Sequence, residues 1–255
     1  MPIVGILPAR LSSTRLARKP LLNETGKTLI QHTWEAASSA ASLDEIVVAV
    51  DCQELADVVA SFGGRYELTG NHPSGTDRIA EVARRSFPDA EIIVNIQGDE
   101  PEIDPAHIDS AVAALQAHPG WQMTTLVTPL TEPEMLASPN VVKAVCAADG
   151  RALYFSRSIV PFVRDLTIEQ VFEQEQSPWK HHIGLYAYRR DFLLHLTQLP
   201  PSPLEQLEKL EQLRALENGA NIGTVEVAKS APGIDTPEDY RHFVLRWREA
   251  LPKAG

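Results

Sequence analysis

The sequence predicts an α/β fold, a mostly parallel sheet flanked by helices, with a small β-rich subregion in its second half. Two observations carry this expectation. Short β-branched runs alternate with amphipathic stretches as far as Val127, which is the strand-helix order of a parallel sheet. Near Asn140 a hairpin pattern and a long irregular stretch replace that alternation. A length of 255 residues suits one main domain with a small subdomain.

In chain order, Val4–Leu7, Ile46–Val50, Ile92–Ile96 and Thr124–Val127 read as strands. Leu29–Ala37, Leu55–Phe62, Arg78–Arg85 and Ile108–Leu115 read as helices. Parallel strands of this kind bury both faces and bring their carboxyl ends to one edge, where ligands bind in open α/β sheets. Val141–Ala147, the Asp149-Gly150 turn and Ala152–Ser156 read as a hairpin, and Pro161–Lys180 as a candidate lid or dimer segment. Ile183–Tyr188 is a further strand, followed by two helices. In the second of these, Pro203–Glu217, the residues Leu204, Leu207, Leu210, Leu213 and Leu216 are read as a broad apolar face for core or dimer contact. After the strand Ile222–Val227, Thr236 is an N-cap, Pro237 suits the first helical position, and Glu238 and Asp239 suit the positive helix end.

A formal net charge of -11 disfavours nucleic acid and anionic membranes as partners. Cys52 and Cys146 lack zinc-ligand or disulfide-framework spacing and read as inert thiols. Without a basic segment followed by a long apolar run, the expectation is a soluble, cytoplasmic protein.

Against this acidic background, the loop after the first strand holds Arg10, Arg15, Arg18 and Lys19 with no acid before Glu24. It has neither Walker nor dinucleotide-binding glycine spacing, so phosphate would be gripped by side chains as well as backbone. Arg10, at the strand exit, suits forked hydrogen bonds, Lys19 supplies a compact charge, and Arg18 reads as a surface cation. The strand ending Asn95-Ile96-Gln97-Gly98-Asp99-Glu100-Pro101 delivers an amide, a glycine and two carboxylates to the same edge. Asp99 is the candidate Mg²⁺ ligand there, because Mg²⁺ binds through one or two carboxylates plus substrate phosphates. Asp235 is either a second ligand or an acid stabilised by the helix dipole. Ser74-Gly75-Thr76-Asp77-Arg78 reads as a helix start whose small residues and arginine suit a nucleobase edge. His181 and His182 point to opposite faces of their strand and cannot share an ion. His182 and Tyr186 share a face and suit a polyhydroxy substrate.

Taken in order, Pro8-Ala9-Arg10, Ser13-Thr14-Arg15-Leu16, Lys19-Pro20-Leu21, Ser74 to Arg78, Asn95 to Pro101 and Asp235 to Asp239 closely resemble the 3-deoxy-manno-octulosonate cytidylyltransferase family. So do Leu153-Tyr154-Phe155-Ser156-Arg157, His182 to Tyr186, Ser202 to Glu205 and Leu210 to Arg214. The resemblance covers essentially the whole chain. It implies a nucleotide-diphosphosugar-transferase-like fold, a homodimer, and transfer of CMP from CTP to 3-deoxy-D-manno-octulosonate (KDO) for lipopolysaccharide synthesis. It divides the chain into a nucleotide-binding half, about 1–139, and a sugar-binding and dimerisation half, about 140–255. It implies that Arg10, Ser13 and Lys19 bind the triphosphate and that Ser74, Gly75 and Arg78 lie around the cytidine. Asp99 and Asp235 would hold Mg²⁺. Arg15, Gln97, His182, Tyr186 and Glu211 would face KDO, with Arg157 and Arg164 as candidates for its carboxylate.

Two departures stand out. Ala17-Arg18 occupies the place of the family's Pro-Gly, which implies a less preorganised loop. His181 occupies the place of a lysine or arginine, which implies a pH-dependent anion contact. The competing functions are cytidylyl transfer to an amino-KDO or another acidic sugar, and a non-catalytic nucleotide-binding regulator. A Rossmann dehydrogenase is excluded for want of the glycine fingerprint.

Overall fold

A computed structural model describes residues 1–12, 15–173 and 177–250. The chain forms two compact units, Met1–Asp109 with the segment from Ala231 onward, and Ser110–Ser230. The division expected near Asn140 therefore lies inside the second unit. The physical reason is β pairing: the strand around Thr125 is bonded to strands that follow residue 140.

The first unit runs β1 (Ile3–Ala9), α1 (Leu29–Ala37), β2 (Glu45–Val50), α2 (Gln53–Ser61), β3 (Arg65–Leu68), α3 (Gly75–Ser86), β4 (Ile92–Asn95) and α4 (Pro105–Ala117), which ends in the second unit. Its strands pair in the order β3-β2-β1-β4, all parallel. Val4, Ile6, Leu7, Val47 to Val50 and Ile92 to Val94 are completely buried, as strands covered on both faces require. The register sets Ala9 opposite Val50 and Ile6 opposite Asn95, so the loops after β1, β2 and β4 leave from one edge.

The second unit adds β5 (Met123–Pro129), α5 (Pro133–Ala137), β6 (Lys143–Cys146), β7 (Ala152–Ser156), α6 (Ile168–Phe172), β8 (Lys180–Arg189), α7 (Arg190–Leu196), α8 (Pro203–Glu208), α9 (Gln212–Glu217) and β9 (Ile222–Glu226). Here the pairing is mixed: β5 is parallel to β9 but antiparallel to β8, and β6 is antiparallel to β7 and β8. The expected hairpin is the β6-β7 pair. Trp179, Val171, Leu130 and Leu136 form a local core under Pro161–Lys180.

The single helix expected over Pro203–Glu217 is two short ones, broken where Lys209 adopts a left-handed conformation at φ 56. Leucines at every third residue rotate by about 60° per step around a helix of 3.6 residues per turn, so they do not share one face. Accordingly Leu210 and Leu213 are buried, while Leu207 is 81% exposed.

The chain returns to the first unit with α10 (Pro237–Ala250). Its Tyr240, Phe243 and Val244 pack with Ile234, Leu29 of α1 and Leu16 of the loop after β1. This cluster draws three segments distant in sequence towards one place.

Candidate active site

The loop after β1 is tied down at both ends. The Leu11 amide donates to both carboxylate oxygens of Asp51, each at 3.2 Å, and Leu16 is buried in the α10 cluster. Lys19-Pro20-Leu21 forms a single 3-10 turn with proline at its start. The residue before it, Arg18, has φ 54 and ψ 31. Arg18 thus takes the left-handed conformation that a glycine adopts without strain. Its guanidinium is ion-paired with Glu54 of α2. The turn is formed with a left-handed arginine where the family carries glycine, so the backbone there is held without glycine's freedom.

The turn aims Lys19 at two carboxylates. Its ammonium donates to Asp99 Oδ2 at 2.6 Å, to the Ile234 carbonyl at 2.8 Å and to Asp235 Oδ1 at 3.1 Å. Arg15 reaches the other Asp235 oxygen at 3.0 Å. The Ile234 amide bonds the Asp99 carbonyl at 3.0 Å, joining the strand-end loop to the segment before α10. That segment is fixed in turn by Asp239, whose Oδ2 accepts from the amides of Asp235 and Thr236 at 3.0 and 2.8 Å. Thr236 caps the helix as its sequence predicts, accepting from the Asp239 amide at 3.1 Å.

Gly98 makes the close approach possible. A Cβ there would lie 3.0 Å from the Pro8 carbonyl oxygen and 3.3 Å from Ile30. Next to Asp99, burial and then the Asp99 charge push the Glu100 carboxyl up to about 8, so it is mostly protonated at neutral pH and adds little negative charge.

Asp99 and Asp235 thus face one cation from two segments. No group of three or more His, Cys, Asp or Glu side chains suited to a metal occurs among the described residues. Two carboxylates that leave the remaining positions to water and substrate phosphates are the donor set of Mg²⁺, so the residues fit that ion.

The residues expected around the nucleotide also belong to the first unit. Arg10 is exposed at the end of β1, and Ser13 lies outside the described residues. Ser74 caps α3, accepting from the Asp77 amide at 3.2 Å. Gly75 leaves room for Pro8, whose Cγ would be 3.3 Å from an added Cβ. Arg78 is buried and donates to Thr69 and to the Gly70 carbonyl, and burial lowers its pKa. Gln97 is half-buried in the loop after β4.

The sugar-side candidates other than Arg15 and Gln97 belong to the second unit. His182 and Tyr186 do share a face of β8, with ring centroids 5.5 Å apart. Burial, then the neighbouring His181, push the His182 imidazole down to about 3. His181 is itself lowered by burial and by Lys143. Arg157 donates to the Glu208 and Pro139 carbonyls at 2.7 and 2.8 Å, which braces the hairpin. Arg164 is exposed, 3.8 Å from Asp165, and Glu211 is exposed at the start of α9.

Two residues escaped the sequence reading. Lys143, fully buried, gives its three ammonium protons to the carbonyls of Arg157, Val141 and Ser138 at 2.7, 2.9 and 3.0 Å. Thr125, also fully buried, lies 2.9 Å from the His182 ring.

Comparison with known proteins gives the site its context. The cytidylyltransferase family model matches residues 4–222. The 3-deoxy-manno-octulosonate cytidylyltransferase of Rhodopirellula baltica is 49% identical, over 96% of this chain and 98% of its own. That of Syntrophotalea carbinolica is 50% identical, over 94% and 96%. A solved structure of CMP:2-keto-3-deoxy-manno-octonic acid synthetase complexed with CTP superposes with a TM-score of 0.90 at 39% identity, covering 98% of this chain and all of that one. A cytidylyltransferase of Leptospira borgpetersenii shares the fold, with a TM-score of 0.65 at 16% identity. With about half its residues shared along nearly its whole length, the chain belongs to the 3-deoxy-manno-octulosonate cytidylyltransferase family.

Proposed function

We infer that the protein transfers CMP from CTP to KDO, giving CMP-KDO and pyrophosphate for lipopolysaccharide biosynthesis, with Mg²⁺ as cofactor. The observation that carries this reading is the meeting of Lys19, Asp99 and Asp235 in a member of this family. The names of the relatives and the CTP in the related structure support the two substrates.

In the reaction, the KDO 2-hydroxyl oxygen bonds to the α-phosphorus of CTP as the bond to the β-phosphate breaks. Pyrophosphate leaves with the bonding electrons, and the hydroxyl proton passes to solvent. Mg²⁺ held by Asp99 and Asp235 supplies Lewis-acid polarisation when bound. Lys19 and Arg10 neutralise charge on the triphosphate and on the leaving oxygens, a preorganised electrostatic contribution. Ser74, Gly75 and Arg78 receive the cytidine, while Gln97, His182, Tyr186 and Glu211 orient the sugar. No side chain forms a covalent intermediate.

Purified protein supplied with CTP, KDO and Mg²⁺ is expected to release pyrophosphate, to stop on chelation and to resume when Mg²⁺ is restored. Absence of release overturns the reading, and a panel including amino-KDO reads sugar preference. A homodimer is part of the proposal. The exposed Leu153, Phe162, Leu166 and Leu207 of the second unit support it, and light scattering tests it. No helix among the described residues is long and apolar enough to cross a membrane. The use of CTP argues for a cytoplasmic enzyme.

A further inference from the structure

The strand pair β5-β8 contains an irregularity. Thr125 stands opposite Tyr186, and the next residue, Leu126, opposite Ile183, so the register of β5 on β8 shifts between Thr125 and Leu126. A bulge of this kind disrupts the ladder locally. The Thr125 hydroxyl sits at this shift: its Oγ1 lies 3.0 Å from the Ile183 carbonyl, 2.9 Å from the Leu185 carbonyl and 2.9 Å from His182 Nε2.

A hydroxyl has one proton and two lone pairs, whereas a carbonyl oxygen can only accept. If Thr125 gave its proton to His182, two carbonyl oxygens would face its oxygen with no hydrogen between, in a buried position where an unmet acceptor is costly. The proton therefore goes to the carbonyls, and Thr125 accepts from His182. Nε2 must then carry the imidazole proton. The ring is neutral, as its burial requires, so Nδ1 holds a lone pair. Phe155 packs edge-on at a centroid distance of 4.8 Å, and Tyr186 lies at 5.5 Å, fixing the ring plane. Among the described residues Nδ1 has no hydrogen-bond partner.

We propose that Thr125 is a positioning residue: with the β8 bulge it locks His182 in the Nε2–H tautomer, so that Nδ1 is presented as an acceptor for a hydroxyl of the sugar substrate. This rests on the reading of His182 as a sugar-side residue, and it makes the site selective for a donor, a hydroxyl, over an acceptor at that point.

Nitrogen-15 NMR of the full-length protein, labelled at histidine, reads the tautomer without substrate. The expected result is a protonated Nε2 and a pyridine-type Nδ1 for His182. Thr125→Ser should retain this signature, whereas Thr125→Val, which keeps the shape and removes the hydroxyl, should lose it. In steady-state assays Thr125→Val should raise KM for KDO about fivefold to tenfold, leave kcat within about twofold and leave KM for CTP unchanged, with Thr125→Ser restoring the wild-type value. A wild-type His182 protonated on Nδ1 overturns the proposal, whatever the variants do. So does a Thr125→Val protein with both the wild-type tautomer and the wild-type KM. A wild-type protein with the expected tautomer but no turnover of KDO overturns the proposed function and leaves the tautomer standing.

Discussion

Two lysines show how differently the two units use the same side chain. Lys19 of the first unit and Lys143 of the second each donate to three oxygens, at 2.6 to 3.1 Å and 2.7 to 3.0 Å. Two of the oxygens around Lys19 belong to carboxylates that are themselves a third to a half exposed. All three around Lys143 are backbone carbonyls, and the side chain is wholly buried. Anionic partners in contact with water can exchange one cation for another, as the proposed binding of a metal-bound triphosphate at the Lys19 cluster requires. Carbonyls bring no compensating charge. Burial, then the nearby Arg157, lower the Lys143 pKa, and the group ties Ser138, Val141 and Arg157 together. The first arrangement is built to change partners, the second to keep them.

This contrast can be broken in order of expected effect. Asp99→Ala should reduce Mg²⁺-dependent pyrophosphate release by at least about a thousandfold while the protein stays folded by circular dichroism; near-normal release would remove Asp99 from the metal site. Lys19→Ala should lower kcat about a hundredfold, as removal of one oxyanion donor does, with little change in the urea midpoint. Lys143→Met should do the reverse, costing about 3 kcal/mol of stability because the Arg157 and Val141 carbonyls lose a charged donor, while Ser138 keeps only the Val141 amide. A variant as stable as the wild type would show that these carbonyls find other partners.

The imidazole of His182 should also be felt in stability. Its pKa is about 3 in the folded protein against 6.5 ordinarily, so the unfolded chain takes up the proton first as pH falls. Its contribution is fully present above pH ~6.5 and is lost by about 1.4 kcal/mol per pH unit down to ~3. Urea unfolding of wild type and His182→Gln across that range should differ by this slope, and parallel curves would refute it. The smallest effect is expected at Arg18. Arg18→Gly relieves the left-handed backbone and loses an exposed ion pair, for a net rise in melting temperature of about 2 °C or less and unchanged turnover. A fall of several degrees would show that the pair with Glu54 outweighs the backbone strain.

What the sequence disclosed follows the same division. The buried parallel strands were legible because their β-branched runs are apolar on both faces, and α1 has the expected limits, Leu29–Ala37. The strand β3 was missed because Arg65–Leu68 is mostly exposed and carries charge where a pattern of buried residues would be. Lys19, Asp99 and Asp235 were legible because each follows a strand or precedes a helix with strong local signals. That Asp99 lies beside the cationic loop followed from their common sheet edge, and that Asp235 joins it only from the family resemblance; the packing among Leu16, Leu29, Ile234 and Phe243 that brings the segments together was not legible. Lys143 and Thr125 look in sequence like any polar residue on a strand. Only the carbonyls that the bulge and the turns beside the hairpin bring around them give them their roles.

The first unit is written in two pieces of chain, with the whole of the second unit between them. On the ribosome, Lys19 and Asp99 therefore emerge long before Asp235, and the late segment that fixes Asp235 also buries Leu16 and Leu29. A nascent chain that has just completed Ser230 presents Lys19 and Asp99 without Asp235, beside an uncovered apolar patch. The arrival of the segment from Ala231 onward thus covers the apolar patch and brings Asp235 to Lys19 in one step, and a chain lacking it exposes apolar surface of the kind that makes folding intermediates prone to aggregate.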